Sequence, residues 1–170
     1  VLVAGDSAGG GLALALAVQV RDSGRPAPAG LVLLSLWVDL RPAHQPPPVP
    51  GEAMLTAPWM QACAAHYAGS ATDDPRVSPL LADHRGLPPV LVQCGTDELL
   101  RGQARALHAA LRAAGVDSTL EVEPQRWHVH HLHAGQLPSA NAAVSRIARF
   151  VLKALDASAP PHHAAHDVVI

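Results

Sequence analysis

The run Val1-Leu2-Val3-Ala4-Gly5-Asp6-Ser7-Ala8-Gly9-Gly10 constrains this chain more tightly than any other stretch. Its apolar opening reads as a strand, and Gly10-Gly11-Leu12-Ala13-Leu14-Ala15-Leu16-Ala17 reads as a helix of small residues. Only a tight turn fits between them. In such a turn, side chains two before and two after the serine are expected to strike neighbouring backbone, so glycine stands at positions 5 and 9. The serine hydroxyl is lifted to the end of a strand, above a helix N-terminus whose dipole favours developing negative charge. Gly-x-Ser-x-Gly alone is a weak signal, but a strand before it and a helix after it make it specific. Ser7 is therefore a candidate nucleophile, and the Ala8 N–H a candidate donor to an oxyanion.

Beyond this turn the chain alternates strand and helix signals. A first helix is expected over Ser7–Asp22, closed by Ser23-Gly24 and by Pro26 and Pro28. Leu31-Val32-Leu33-Leu34-Ser35 is an unbroken apolar run, as in a strand buried on both faces. Residues 41–50 are proline-rich and predict no regular structure. Thr56-Ala57-Pro58 caps a helix to about Tyr67. Pro89–Cys94 and Ser118–Glu123 read as further strands, Leu99–Ala114 and Ser139–Leu155 as further helices. This alternation predicts an α/β fold, a mostly parallel sheet with helices on both faces and right-handed crossovers. One domain is expected over residues 1–155. The Ala/Pro/His-rich residues 156–170 have too little to bury and are expected to be disordered.

Composition removes several function classes. A net charge of −2, with three Trp, one Tyr and one Phe, leaves no basic, aromatic-interleaved surface for nucleic acid. No apolar stretch is long enough for a membrane span. Cys63 and Cys94 form no Cys-x-x-Cys and read as two buried free thiols, which fits a reducing cytoplasm. No cofactor is called for, and the oligomeric state is left open.

A serine nucleophile needs a histidine to take its proton and a carboxylate to orient the ring. The loop after the third strand, Gly95-Thr96-Asp97-Glu98, offers two acids, and the loop after the fourth carries Arg126-Trp127-His128. The chain order Ser, acid, His is the one expected of a serine at a strand-to-helix turn. His130, His131 and His133 compete as base, but they follow in a stretch already turning towards helix. An extended strand would aim alternate members of the His128/His130/His131/His133 cluster together as a metal set. No acidic or cysteine ligand stands at recognised zinc spacing, so a metal is not expected.

Gly5-Asp6-Ser7-Ala8-Gly9-Gly10, Leu34-Ser35-Leu36-Trp37-Val38-Asp39-Leu40, Asp74-Pro75-Arg76-Val77-Ser78-Pro79-Leu80, Gly86-Leu87-Pro88-Pro89 and Trp127-His128-Val129 occur in that order. Together they resemble the hormone-sensitive-lipase-like (family IV) esterases of the α/β-hydrolase fold, from Val1 to about Leu155. The departure is Leu36, where that family usually has proline. The resemblance implies a serine carboxylesterase that cleaves short-to-medium acyl esters through an acyl-enzyme, with Ser7 as nucleophile and His128 as base. Ungapped counting from Pro89, and back from Ala114-Gly115-Val116, places the family's acid on Glu98, with Asp97 one step early as the competing acid. Leu36, Trp37 and Val129 are expected to contact substrate.

The family's His-Gly-Gly segment, which supplies further oxyanion N–H groups, has no counterpart here. The strands and cap that would precede residue 1 are likewise absent from the sequence. The chain is therefore expected to be the C-terminal part of a catalytic domain, and poorly active alone, since each lost oxyanion donor costs about 10²–10³ in rate. The rival reading from another class is a non-catalytic relative that binds a small molecule without turnover.

Overall fold

The expected alternation forms β1 (Val3–Asp6), α1 (Ser7–Asp22), β2 (Leu31–Leu34), α2 (Ala57–Ala68), β3 (Val90–Gly95), α3 (Arg101–Ala113), β4 (Ser118–Glu123) and α4 (Pro138–Ser158). The structure is a computed structural model and describes residues 1–44 and 46–158. Its strands form one parallel sheet in the order β1-β2-β3-β4. In register, Asp6 lies beside Leu34, Leu34 beside Gln93, and Gln93 beside Glu121. The carboxyl ends of all four strands therefore share one edge of the sheet.

Strand residues of alternating parity divide the core. Leu31, Leu33, Val90, Val92 and Cys94 pack with Ala13, Leu14 and Ala17 of α1 and with Ala104, Leu107 and Leu111 of α3. The opposite face meets α4. There the Gln93 amide donates to the Ala143 carbonyl at 3.3 Å, and Gly30 lies against Phe150 and Ala154. Two-faced burial explains why β2 reads as a continuous apolar run and β3 as one interrupted only by the hydrogen-bonded Gln93. A second cluster, with Trp37, Leu55, Met60, Leu99 and Leu100, joins α2 to the loops above the sheet. The free edge of β1 is unpaired among the described residues, with Val1, Leu12 and Leu16 exposed near it. No helix among the described residues is long and apolar enough to cross a membrane.

The differences from the sequence reading are local. Pro42–His44 forms a short 3₁₀ turn inside the proline-rich connection, because a tight helical turn accepts proline at its start. α3 begins at Arg101 rather than Leu99, since Leu99 and Leu100 are buried in the preceding turn. α4 continues through Asp156-Ala157-Ser158, so the segment expected to be disordered starts no earlier than residue 159. Residues 159–170, where the rest of that expectation falls, lie outside the described residues.

Candidate active site

The shared carboxyl edge collects what the sequence scattered. Ser7 follows β1, Ser35 follows β2, Gly95 to Glu98 end β3, and His128 follows β4. Backbone strain gathers there as well. Among the described residues, the non-glycine residues with positive φ are Ser7 (52°), Ser35 (46°), Gln125 (55°) and Val129 (49°). A β-branched residue such as Val129 rarely adopts this conformation, and such strain persists where the surroundings over-determine it.

At the elbow, Ser7 turns the chain from β1 into α1, and its carbonyl accepts the Trp37 N–H at 2.9 Å. Only one of the two flanking glycines behaves as expected. A Cβ on Gly5 would overlap the Gly9 carbonyl, whereas a Cβ on Gly9 meets nothing within 4 Å. The close approach of backbone is therefore made at Gly5, and the Cβ position of Gly9 is open. Two further glycines make room along α1, Gly10 against Leu36 and Gly11 against the Trp37 carbonyl. Gly5→Ala is thus expected to lose folded protein, or at least ~10-fold in any Ser7-dependent activity, while Gly9→Ala stays within about 1 kcal/mol of the parent. Denaturant titration of both variants checks this, and equal losses would return the role to both glycines.

Ser7 Oγ lies 2.9 Å from His128 Nε2. Burial holds the imidazole below its usual pKa of 6.5, with Glu52 and Asp6 acting the other way, so the ring is neutral near pH 7 and able to accept a proton. His130 and His131 do not reach Ser7. Their stretch, His130–His133, is a 3₁₀ turn rather than an extended strand, and no metal-holding group of three His, Cys, Asp or Glu occurs among the described residues. The rings of His130 and His131 lie 4.1 Å apart, and His131 Nε2 pairs with Gln93 at 3.0 Å. His133 packs edge-on against Trp127.

The two candidate acids part company. Glu98 is fully buried, and its Oε2 accepts the Ser35 hydroxyl at 2.7 Å and the Gly95 N–H at 3.2 Å. Its Oε1 and the buried His128 Nδ1 both lack a hydrogen-bond partner, so no Glu98–His128 bond is formed. Burial pushes the Glu98 carboxyl up to about 7, against the lowering effect of its Ser35 and Gly95 bonds. Asp97 is half-buried, accepts the Thr96 hydroxyl at 2.8 Å and packs beside Gly51.

Sequence reasoning gave Ser35 and Gly95 no role, although both belong to the site. Ser35 Oγ donates to Glu98 and accepts the Val129 N–H at 3.0 Å, which ties the acid to the backbone next to His128. A Cβ on Gly95 would overlap the Arg126 carbonyl, so glycine lets the histidine loop cross the acid turn. Backbone bonds lace the two loops, with Asp97 N–H to Arg126 O and Thr96 N–H to Glu123 O, each 2.9 Å. A glycine at the end of a buried strand was the available signal for that crossing.

Ala8, in the first turn of α1, carries one of the N–H groups that a helix leaves without an intrahelical acceptor. Beside it lies an apolar cavity of about 160 Å³, lined by Ala8, Leu12, Trp37, Cys63, Tyr67 and Val77 among others. Of the three expected substrate contacts, only Trp37 reaches it. Leu36 is fully buried in the core, and Val129 is buried with its N–H on Ser35, because side chains at the ends of these strands turn inward to pack. Cys63 and Cys94 are free thiols, but only Cys94 is buried, which pushes its thiol up to about 12.

The alpha/beta hydrolase fold is also the description of a family profile that matches residues 1–132. An acetyl-hydrolase of Streptomyces hygroscopicus is 38% identical over 154 residues, covering 89% of this chain and 52% of the relative. An esterase of Acinetobacter venetianus is 32% identical over 154 residues, covering 88% and 51%. Among solved structures, an esterase from the bacterial hormone-sensitive lipase family superposes with a TM-score of 0.83 at 39% identity, covering 89% of this chain and 52% of that one. The chain spans about half the length of the curated relatives it matches.

Proposed function

Given that the chain belongs to the alpha/beta hydrolase fold family, we propose that it carries the nucleophile, base and acid of a serine carboxylesterase acting on small acyl esters. One observation carries this reading, the 2.9 Å approach of His128 Nε2 to the hydroxyl of a positive-φ serine at a strand-to-helix junction. In this mechanism Ser7 Oγ attacks the ester carbonyl carbon while its proton passes to His128 Nε2. The carbonyl electron pair moves onto oxygen, which accepts the Ala8 N–H and lies at the positive end of α1. Collapse of this intermediate breaks the bond to the alcohol oxygen, which takes the proton back from His128 and leaves an acyl-Ser7. Water, deprotonated by His128, then repeats the sequence and frees the acid.

Glu98 is the carboxylate assigned to His128 Nδ1, since the two buried unpartnered atoms, Oε1 and Nδ1–H, complement one another. Forming that bond lets the imidazolium, once made, share its charge with a buried carboxylate. The cavity beside Ala8 supports a small acyl group. It is about 160 Å³ and mostly apolar, with Arg76 among its lining residues. This supports short-to-medium acyl chains. With p-nitrophenyl esters, kcat/KM is expected to favour acetate through octanoate over palmitate by more than ~10-fold. A preference for palmitate would overturn the substrate class. The free thiols of Cys63 and Cys94 support a cytoplasmic location.

A second reading, binding of a small molecule without turnover, is favoured by the missing Glu98–His128 bond. Saturable binding of an ester with no acyl-Ser7 detectable by mass spectrometry would select it.

A further inference from the structure

The proline-rich connection was expected over residues 41–50, and just beyond it one carboxylate reaches the acid turn. Glu52 Oε2 accepts the Leu99 N–H at 2.8 Å, in the peptide directly after Glu98. Its other oxygen accepts the N–H groups of Met54 and Leu55 at 2.8 and 2.9 Å, just before α2. Beside it, Gly51 rests on Asp97 so closely that a Cβ would come within 2.9 Å of the aspartate Cβ. α2 in turn supplies Cys63 and Tyr67 to the cavity next to Ser7. Glu52 therefore stands between the wall of the cavity and the peptide that aims Glu98.

We propose that Glu52 is a positioning residue: its carboxylate clamps the Glu98–Leu99 peptide to the start of α2, so that the acid turn and the cavity wall are held as one unit. This inference rests on the esterase reading. It makes Glu52 neither acid nor base, since both its oxygens are occupied by backbone donors. Its charge has a second consequence. Besides Glu98, the carboxyl assigned to its Nδ1, the His128 imidazole feels Glu52 from the connection and Asp6 from β1, with Glu52 the stronger of these two. Glu98 feels Glu52 and, from α3, Arg101. A fixed negative charge at position 52 favours the imidazolium that forms when His128 takes the Ser7 proton.

The test uses Glu52→Gln, Glu52→Asp and the parent, each in a chain extended to the length of its relatives. Each is normalised to the Ser7 population labelled by a fluorophosphonate and assayed with p-nitrophenyl butyrate from about pH 5 to 9. The glutamine keeps the shape but loses the charge, and it cannot accept N–H groups at both of its terminal atoms. It is expected to lower kcat by about 10-fold with less than a 2-fold change in KM, and to move the acid midpoint of kcat/KM down by about half a pH unit. Aspartate restores the charge on a shorter arm, so the midpoint should return while kcat recovers only in part. A role confined to folding would lower Tm and the labelled fraction, yet leave kcat per labelled serine and the midpoint unchanged; that result overturns the proposal. So does failure of both variants to fold. If the parent chain is neither labelled at Ser7 nor active, the esterase reading falls and takes this inference with it. If the parent is active and Glu52→Gln matches it, the inference falls alone.

Discussion

In a chain extended to the length of its relatives, Ser7→Ala is expected to reduce ester hydrolysis by about 10⁶-fold, to the level left by binding and oxyanion stabilisation alone. The size of the effect follows from what is removed. The Oγ that would form the acyl bond is also the atom that meets His128 Nε2 at 2.9 Å, and no other hydroxyl is bonded to that nitrogen. The fold should survive. The Ser7 backbone is held by its carbonyl on the Trp37 N–H, a bond that alanine keeps, and the half-buried side chain loses one oxygen without leaving a cavity. A stability change below about 1 kcal/mol is expected, against the near-complete loss of rate. p-Nitrophenyl butyrate hydrolysis measures the rate, and peptide mapping after fluorophosphonate treatment locates the labelled residue. Labelling that persists in Ser7→Ala, or a rate within ~10-fold of the parent, would remove Ser7 from the nucleophile's place.

The elements were legible because burial writes itself into composition. β2 and β3 are covered on both faces, so Leu31–Leu34 is an unbroken apolar run and Val90–Cys94 is interrupted only by Gln93, whose amide is hydrogen-bonded to the Ala143 carbonyl. The elbow was legible for a different reason: a glycine forced by the backbone and a serine on show are both local facts. What escaped was carried by contacts between distant residues. Ser35 looks like the polar end of a strand until Glu98 and the Val129 N–H arrive on the same oxygen from 63 and 94 residues away. Glu52 looks like a loop acid until it is found on the Leu99 N–H, 47 residues on. Leu36 was misplaced because nothing in a strand end says which way it will turn; it faces Gly10 and fills the core. Gly9 was over-read because only a Cβ on Gly5 would meet backbone at this turn, while the space beside Gly9 is open.

Glu98→Gln should lower kcat by about 10²–10⁴, while Asp97→Asn costs less than ~10-fold. The geometry dictates which way the amide sits. Oε2 of Glu98 receives the Gly95 N–H, which can only donate, so the amide oxygen must occupy that position. The NH₂ group is then left on the Oε1 side, where the unpartnered His128 Nδ1 is the complementary group. An NH₂ facing Nδ1 makes that nitrogen the acceptor and moves the ring proton to Nε2, the nitrogen that must receive the Ser7 proton. The base is then in the wrong tautomer without any loss of shape. Asp97 is spent on the Thr96 hydroxyl and the Gly51 contact, so its amide should leave the imidazole unaffected.

Stability is expected to move in the opposite direction. Burial raises the Glu98 carboxyl to about 7 from 4.5, so between those values the folded chain holds a proton that the unfolded chain has released. Rising pH through that window therefore costs stability, and above about pH 7 the full penalty, roughly 3 kcal/mol at most, is present. Glutamine carries no such penalty. Glu98→Gln should match the parent near pH 4.5 and exceed it in denaturant midpoint at pH 8.5, even as its turnover collapses. An Asp97→Asn variant that loses more rate than Glu98→Gln would transfer the acid's role to Asp97. A Glu98→Gln chain less stable than the parent at pH 8.5 would mean that the carboxylate is already paired in the folded protein.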